Sequence, residues 1–306
     1  MEYSVVIPVF NSQYSLKELF KRVKESVQKI SNDFEVIFVD DYSSDKSWSV
    51  LNQIKQLNQN QVKIISFAKN YGQHNATMCG FRHAKGNVVI TLDDDLQHNP
   101  EDIPLLVSAL KEREMDVVFG VPMDYGYKKG YRKHLSKIWK FGTHKMNNAL
   151  EDGSSFRVIK KDIIDKVIAH RQHFIFIDEM LGWYTDIIDV EKVKFNETEY
   201  KASGYGPIKL LFMMLDLGVF YSSLPLKIMT YGGLIMSLFS FFLGLRFIYK
   251  KIFIGVSVSG YTSLMVTILF STSILLLCLG VIGQYLGKIY TVLNNKPTYS
   301  IKEQLL

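Results

Sequence analysis

The sequence predicts an α/β domain built on a mostly parallel sheet, followed by a two-helix transmembrane hairpin. Three observations lead there. Short β-branched runs alternate with amphipathic helical patterns from residue 4 to residue 121, the pattern of a parallel sheet with helices on both faces. Two of those runs, residues 35–39 and 88–92, end abruptly in carboxylates. Two long, nearly uncharged runs then fill much of the C-terminal third.

Residues 4–9 read as the first strand and Phe10-Asn11-Ser12 as a turn. Leu16, Leu19, Phe20, Val23 and Val27 recur on one helical face. Residues 35–39 are a second buried strand, after which Asp40-Asp41-Tyr42-Ser43-Ser44-Asp45 can cap a helix with Trp48, Leu51 and Ile54 inward. Residues 62–67 form the third strand and 73–84 a helix stopped by Lys85-Gly86. Residues 88–92 are the fourth strand. Pro100 opens a helix that buries Ile103, Leu106, Val107 and Leu110, and residues 116–121 are the fifth strand. Beyond Pro122 the rhythm loosens: 123–130 reads as a loop, 131–149 as a basic helix, 156–159 and 187–195 as strands, and 162–170 as a helix.

The expected domains are a catalytic-type α/β domain over 1–204, a membrane-interface helix region over 205–226, two transmembrane helices within 227–290 (about 228–249 and 261–286), and a tail over 291–306. The first apolar run carries one charge, Arg246. As a helix it is roughly 33 Å long, against a bilayer core of about 30 Å. A hairpin returns both flanks to one side, and Lys227, Lys288, Lys296 and Lys302 favour the cytoplasm for that side. The expected location is the inner (plasma) membrane, multi-pass, with the N-terminal domain cytoplasmic. Of the 306 residues 47% are hydrophobic and 22% charged, which excludes a disordered chain. The net charge of +6 suits an anionic membrane surface or phosphorylated substrates, and no Lys/Arg block is dense enough for nucleic acid. Cys79 and Cys278 form neither a disulfide framework nor a metal site.

Three adjacent acids, Asp93-Asp94-Asp95, repel one another unless a cation or hydrogen-bond donors compensate. A hard divalent ion, Mg2+ or Mn2+, takes oxygen ligands and usually shares them with a substrate phosphate. Alternation along a strand lets Asp93 and Asp95 point one way and Asp94 the other. A solvated acidic loop accounts for the triplet equally well. Gln97 is either a further oxygen ligand or a turn residue. Asp40 and Asp41 end the neighbouring strand beside the turn at residues 8–11, where a carboxylate can accept hydrogen bonds from a ribose or base or can cap a helix. The two acidic strand ends together favour a nucleotide-diphosphate pocket, with Asp41 nearer the nucleoside. Asp94 is grouped with these residues, as a bystander or as a group that tunes the metal or sugar pocket. His74 and His98 flank the same stretches. Arg132 and Lys133 either clamp phosphates or form a solvated basic helix face. No dinucleotide or Walker-type glycine motif and no zinc spacing is present.

Ser4-Val-Val-Ile-Pro-Val-Phe-Asn11, Val39-Asp-Asp-Tyr-Ser-Ser-Asp45, Asn70-Tyr-Gly-Gln-His-Asn75 and Thr91-Leu-Asp-Asp-Asp-Leu-Gln-His-Asn-Pro-Glu101 resemble family 2 glycosyltransferases of GT-A (Rossmann-like) fold. With the apolar runs and Gly283-Gln-Tyr-Leu-Gly-Lys-Ile-Tyr290, the chain is similar to the polyisoprenyl-phosphate glycosyltransferases, most of all the 4-deoxy-4-formamido-L-arabinose transferases. The resemblance implies a metal held by Asp93, Asp95 and Gln97, and nucleotide contacts from Pro8, Asn11 and Asp41. It also implies phosphate contacts from Arg132 and Ser136, and a homo-oligomer. The implied reaction is inverting, metal-dependent transfer of a sugar from a nucleotide sugar, a UDP-sugar, to polyprenyl phosphate, with Asp93, Asp95 and Arg132 central to catalysis. Phe10-Asn11-Ser12, Tyr42, Asp94, Pro122 and Lys201-Ala-Ser-Gly-Tyr205 depart from the family pattern and bear on the donor sugar. The acidic residue expected near Phe156 is Glu151 or Asp152. The rival readings are a non-catalytic membrane protein that binds nucleotide sugars and a processive polysaccharide synthase. The synthase would need a Gln-x-x-Arg-Trp motif, which this sequence lacks.

Overall fold

The computed structural model describes residues 1–123, 154–169, 176–196, 260–293 and 297–306, with scattered positions from 229 to 253. The chain divides into two units, Met1–Gly204 with Lys296–Leu306, and Tyr205–Asn295. The strands of the first unit are β1 (Tyr3–Val9), β2 (Phe34–Asp40), β3 (Val62–Phe67), β4 (Val88–Thr91), β5 (Val117–Pro122), β6 (Arg157–Lys160), β7 (Ile188–Val193) and β8 (Ile301–Leu305). Its helices are α1 (Leu16–Gln28), α2 (Ser47–Leu57), α3 (Gln73–His83), α4 (Ile103–Glu112), α5 (Lys161–Ile168) and α6 (Ile177–Tyr184). A 3-10 turn, Pro100–Asp102, leads into α4.

The strands form one sheet in the order β7-β5-β6-β4-β1-β2-β3-β8. Strands β1, β2, β3 and β4 pair in parallel, as do β5 and β7. Every residue of β1, β2 and β4 is buried, as expected of apolar strands covered on both faces. Alternation divides them: Val5, Ile7 and Val9 pack in one cluster with the apolar faces of α1, α2 and α4, and Val6, Ile37 and Val89 in another with α3, α5 and α6. The face read for α1 is the buried one, and each large side chain on it contributes about 1.5–3 kcal/mol. Helix α3 lies so close to β1 that a Cβ at Gly80 would come within 2.2 Å of Val6, so only glycine fits there.

Three features depart from the simple alternation. Strand β6 runs antiparallel between β4 and β5, so the fourth and fifth strands are not neighbours. Its Val158 and Ile159 are fully buried, and a short apolar run can fill a central slot wherever it returns in the chain. Helix α6 was not anticipated. Residues 301–305, read as tail, instead pair antiparallel with β3 as an edge strand. The Ala68 N–H donates to the Ser300 carbonyl at 2.9 Å, and Tyr299 stacks on Phe67 with centroids 4.9 Å apart. The added strand covers an edge of backbone donors and acceptors that would otherwise stay unpaired.

In the second unit, α7 (Tyr261–Leu293) is 33 residues long, extending past the expected end at 286. That is about 50 Å of helix. Its window Phe270–Gly287 has a mean hydropathy of 1.6 with none of it buried, and among the described residues it is the one helix long and apolar enough to cross a membrane. Met229, Tyr231 and Phe253 are among the helical positions described before it. The expected helix at 131–149 and the interface region at 205–226 lie outside the described residues.

Candidate active site

A cavity of about 290 Å³ opens at the carboxyl ends of β1 and β4. Pro8 comes from β1, Thr91 and Asp93 from the end of β4, Gln73 and His74 from the first turn of α3, Arg157 from the start of β6 and Asp178 from α6. Alternation explains the gathering. Val6, Val89 and Ile159 belong to the cluster on the α3 face, so Pro8, Thr91 and Arg157, each two residues away, line that face where the apolar packing ends.

Asp93 is gripped from two sides. The Gln73 side-chain amide donates to its Oδ1, and the Ser155 hydroxyl donates to its Oδ2 at 2.6 Å. Ser155 is itself tied to β4, its carbonyl accepting the Thr91 hydroxyl at 2.6 Å. Burial pushes the Asp93 carboxyl up to about 6, with Asp95 and Asp94 adding to the rise against the Ser155 bond. Asp95 lies in the following turn, its Oδ1 accepting the Gln97 N–H at 3.0 Å. Asp94 points the other way and is buried. Its Oδ2 accepts the Phe10 N–H at 2.8 Å and the Ser12 hydroxyl, so it ties the β1–α1 turn to the end of β4. The bystander reading of Asp94 gives way to a structural one, because a buried carboxylate is retained where donors meet it.

The second acidic strand end is arranged differently. Asp40 is buried, accepts the Ser66 hydroxyl at 3.2 Å and the Ser43 N–H at 3.4 Å, and its Oδ1 meets no hydrogen-bond partner among the described residues; burial raises its pKa. Asp41 accepts two backbone N–H groups, Tyr71 at 2.6 Å and Gly72 at 2.8 Å. Gly72 has φ +90°, which turns the chain into α3 so that both amides face the carboxylate. Burial outweighs those two bonds and holds the Asp41 carboxyl at about 6, with Asp40 adding to the rise. Asn11, at φ +53°, joins the two loops: its N–H donates to Ser43 Oγ at 2.9 Å and its Oδ1 accepts the Ser44 N–H at 2.8 Å. Phe10 and Tyr42, one in each of these loops, are exposed.

Two groups in the cavity carried no weight in the sequence reading. Arg157 and Asp178 form an ion pair at 2.7 Å with side chains only 4% and 13% exposed. Arg157 directly follows Phe156 in a short strand, and nothing local distinguishes it from a surface arginine; Asp178 sits on the unanticipated α6. His74 meets Phe176 edge-on at 5.1 Å, and burial together with Arg157's charge pushes its pKa down to about 4. His98 packs between Phe156 and Phe195 at 5.4 and 5.3 Å, a core position away from the cavity lining. Arg132, Lys133, Ser136, Glu151 and Asp152 lie outside the described residues.

Asp93, Asp95 and Gln97 offer two carboxylates and an amide carbonyl, all hard oxygen donors. Among the described residues no three His, Cys, Asp or Glu side chains gather as a closed metal cage. Mg2+ is usually held by one or two carboxylates and completes its shell with water and substrate phosphate. The donor set therefore fits a divalent cation shared with a diphosphate, and the mutual repulsion of the triplet is what such a cation relieves.

Comparison with known proteins matches residues 4–170 to Glycosyl transferase family 2. The chain is 33% identical over 305 residues to the undecaprenyl-phosphate 4-deoxy-4-formamido-L-arabinose transferase of Proteus mirabilis, across 98% of this chain and 93% of that protein. It is 30% identical over 308 residues to a prophage bactoprenol glucosyl transferase homolog of Escherichia coli, across 99% of each. Among solved structures, S. aureus TarS in complex with UDP-GlcNAc overlaps 72% of this chain and 67% of its own, at 18% identity and a TM-score of 0.49.

Proposed function

The chain belongs to glycosyl transferase family 2 and is a glycosyltransferase, and on that premise we propose that it transfers a sugar from a UDP-sugar to undecaprenyl phosphate. The observation that carries the reading is Asp93, facing a polar cavity at the carboxyl end of a central strand, with Asp95 in the next turn. Asp93, Asp95 and Gln97 would hold Mg2+ or Mn2+, which as a Lewis acid offsets the charge growing on the departing diphosphate. Gln73 and Ser155 fix the Asp93 carboxylate in one orientation before substrate arrives. Pro8, Asn11 and the loops held by Asp40, Asp41 and Asp94 shape the nucleotide side of the site. Arg132 and Ser136 are assigned to the phosphates.

The acceptor phosphate is already an anion at neutral pH, so one of its oxygens attacks the anomeric carbon without a strong general base. The bond from that carbon to the diphosphate breaks, UDP leaves, and direct displacement inverts the anomeric centre. The membrane assignment rests on chain topology. β8 follows the apolar region in sequence yet pairs with β3, so the chain on both flanks of residues 205–295 belongs to one sheet. An even number of crossings satisfies that arrangement. We assign one to helix α7 and the other to residues 228–249, which puts both flanks on one side, and the flanking Lys227, Lys288, Lys296 and Lys302 favour the cytoplasm for that side. We assign a homo-oligomer to the assembled enzyme.

The test is to incubate the purified full-length protein with undecaprenyl phosphate and a panel of UDP-sugars, with and without EDTA, and to identify the lipid product by mass. A chelator-sensitive sugar–phosphate–lipid is the expected result. No lipid product with any donor, or turnover that ignores the chelator, would overturn the acceptor or the metal assignment respectively.

A further inference from the structure

We propose that Asn196, at the exit of β7, is a positioning residue for the turn that carries Asp95 and Gln97, and that it sets how tightly this turn holds a divalent cation. This rests on the metal reading above and adds a residue that lies outside the acidic motif itself.

The first observation is where the two donors sit. Strand β4 ends at Thr91, so Asp95 and Gln97 lie beyond the ladder that aligns the strands. Leu96, between them, has φ +60°. A leucine keeps this left-handed conformation only where its surroundings impose it. Mg2+ demands near-ideal octahedral geometry, so a turn that drifts out of this shape holds the ion less well.

The second observation is a path of hydrogen bonds. The Asn196 N–H donates to the Gln97 carbonyl at 2.8 Å, and the Asn196 side-chain amide donates to Asn99 Oδ1 at 2.6 Å. The same amide reaches the Leu96 carbonyl at 3.5 Å. On the other side of residue 97, the Gln97 N–H donates to Asp95 Oδ1 at 3.0 Å. The path therefore runs from Asn196 through the Gln97 backbone to the Asp95 carboxylate.

The brace is itself anchored. His98 and Phe195 form an antiparallel bridge, and the Lys194 N–H donates to Asp102 Oδ2 at 3.2 Å, so the exit of β7 runs along the turn. Arg22 of α1 also donates to Asn99 Oδ1, at 3.1 Å, and pairs with Glu101. Those contacts hold the chain after Gln97, whereas Asn196 holds Gln97 directly. Groups that orient metal ligands in this way tune affinity without touching the ion.

The experiment measures Mn2+ binding to the full-length protein in the presence of UDP, from the loss of the free-ion EPR signal. Asn196→Ala is expected to weaken Mn2+ about tenfold. Asn99→Ala, which removes the acceptor instead of the donor, should act in the same direction. Arg113→Ala cuts exposed ion pairs to Asp189 and Glu191 elsewhere on β7 and should leave Mn2+ affinity within about twofold. In sugar transfer, Asn196→Ala should raise the Mn2+ concentration for half-maximal rate by a similar factor, with the rate at saturating Mn2+ within about threefold of wild type. A merely structural role would lower the rate at every Mn2+ concentration. The inference is overturned if both folded variants bind Mn2+ as the wild type does, or if Arg113→Ala weakens it equally. Binding that is lost in Asp95→Asn but intact in Asn196→Ala and Asn99→Ala overturns this inference alone. A wild type that binds no Mn2+, or an Asp95→Asn variant that binds it undiminished, overturns the metal reading with it.

Discussion

Strand β2 ends in Asp40-Asp41 and strand β4 in Asp93-Asp94-Asp95, and in sequence the two ends look alike: an apolar run, then acids. In the fold they diverge. At the end of β2 both carboxylates are buried and met by the protein itself, Asp41 by the Tyr71 and Gly72 amides and Asp40 by Ser43 and Ser66. At the end of β4 Asp94 is enclosed in that way, while Asp93, although held by Gln73 and Ser155, faces the cavity and Asp95 sits half-buried in the turn beyond it. The difference lies in what packs against each strand end. The α3 entry loop, turned by Gly72, closes over Asp41 with backbone donors, but it meets Asp93 only with the tip of one side chain, Gln73. An acid at a strand end becomes available for chemistry where it borders an open cavity, as Asp93 does, and not where packing encloses it, as at Asp40 and Asp41.

The largest effect should come from the β4 end. Asp93→Asn and Asp95→Asn are each expected to lower the rate of sugar transfer by about a thousandfold or more, with little change in melting temperature. Near-normal turnover in both would erase the contrast between the two ends. Next is Asp41→Ala, which leaves the Tyr71 and Gly72 amides without their acceptor and should cost about 2–4 kcal/mol of stability by denaturant titration. If that variant keeps its stability and instead loses only UDP affinity, Asp41 acts on the nucleotide directly and the two ends are alike after all.

A pH series sharpens the same point. The Asp41 carboxyl titrates at about 6 in the folded chain, against an ordinary value of 3.8, chiefly because it is buried. The folded state therefore holds the proton more tightly than the unfolded state. This contribution is fully present below pH 4 and is lost as pH rises through about 6. Relative to Asp41→Asn, the wild type should lose about 1–2 kcal/mol between those limits, read from melting curves of both proteins at each pH. The smallest expected change is Tyr299→Ala. Removing the stack on Phe67, which itself meets Tyr71 edge-on at 5.6 Å, should cost about 1 kcal/mol. It should also loosen the loop around Asp41 more than the one around Asp93, as hydrogen exchange of the Tyr71 and Gly72 amides against the Gln97 amide would report.

Much of this was legible in advance. The buried faces of α1 and α4 follow from helical spacing, and β1 to β5 follow from β-branched runs. Alternation put Asp93 and Asp94 on opposite sides of β4, because side-chain direction in a strand is a local property. The assignments that needed a partner from elsewhere in the chain were not legible. Asp94 reads as a spare acid until Phe10 and Ser12, more than eighty residues earlier, are seen to donate to it. Arg157 and Asp178 are unremarkable in sequence, and α6 is too short and too irregular in pattern to announce itself. β8 carries one half-buried apolar residue, Ile301, so its place beside β3 rests on backbone hydrogen bonds that any sequence can make.

The sequence by itself determined the class of fold, the succession of strands, the apolar C-terminal region and the family, since each depends on local periodicity or on ordered motifs. Only the tertiary structure decided which carboxylates remain available for chemistry, where β6 and β8 insert, and that a buried ion pair lines the same cavity as Asp93. Those outcomes depend on which donors and acceptors long-range packing brings within hydrogen-bonding distance, and no short window of sequence contains both members of such a pair.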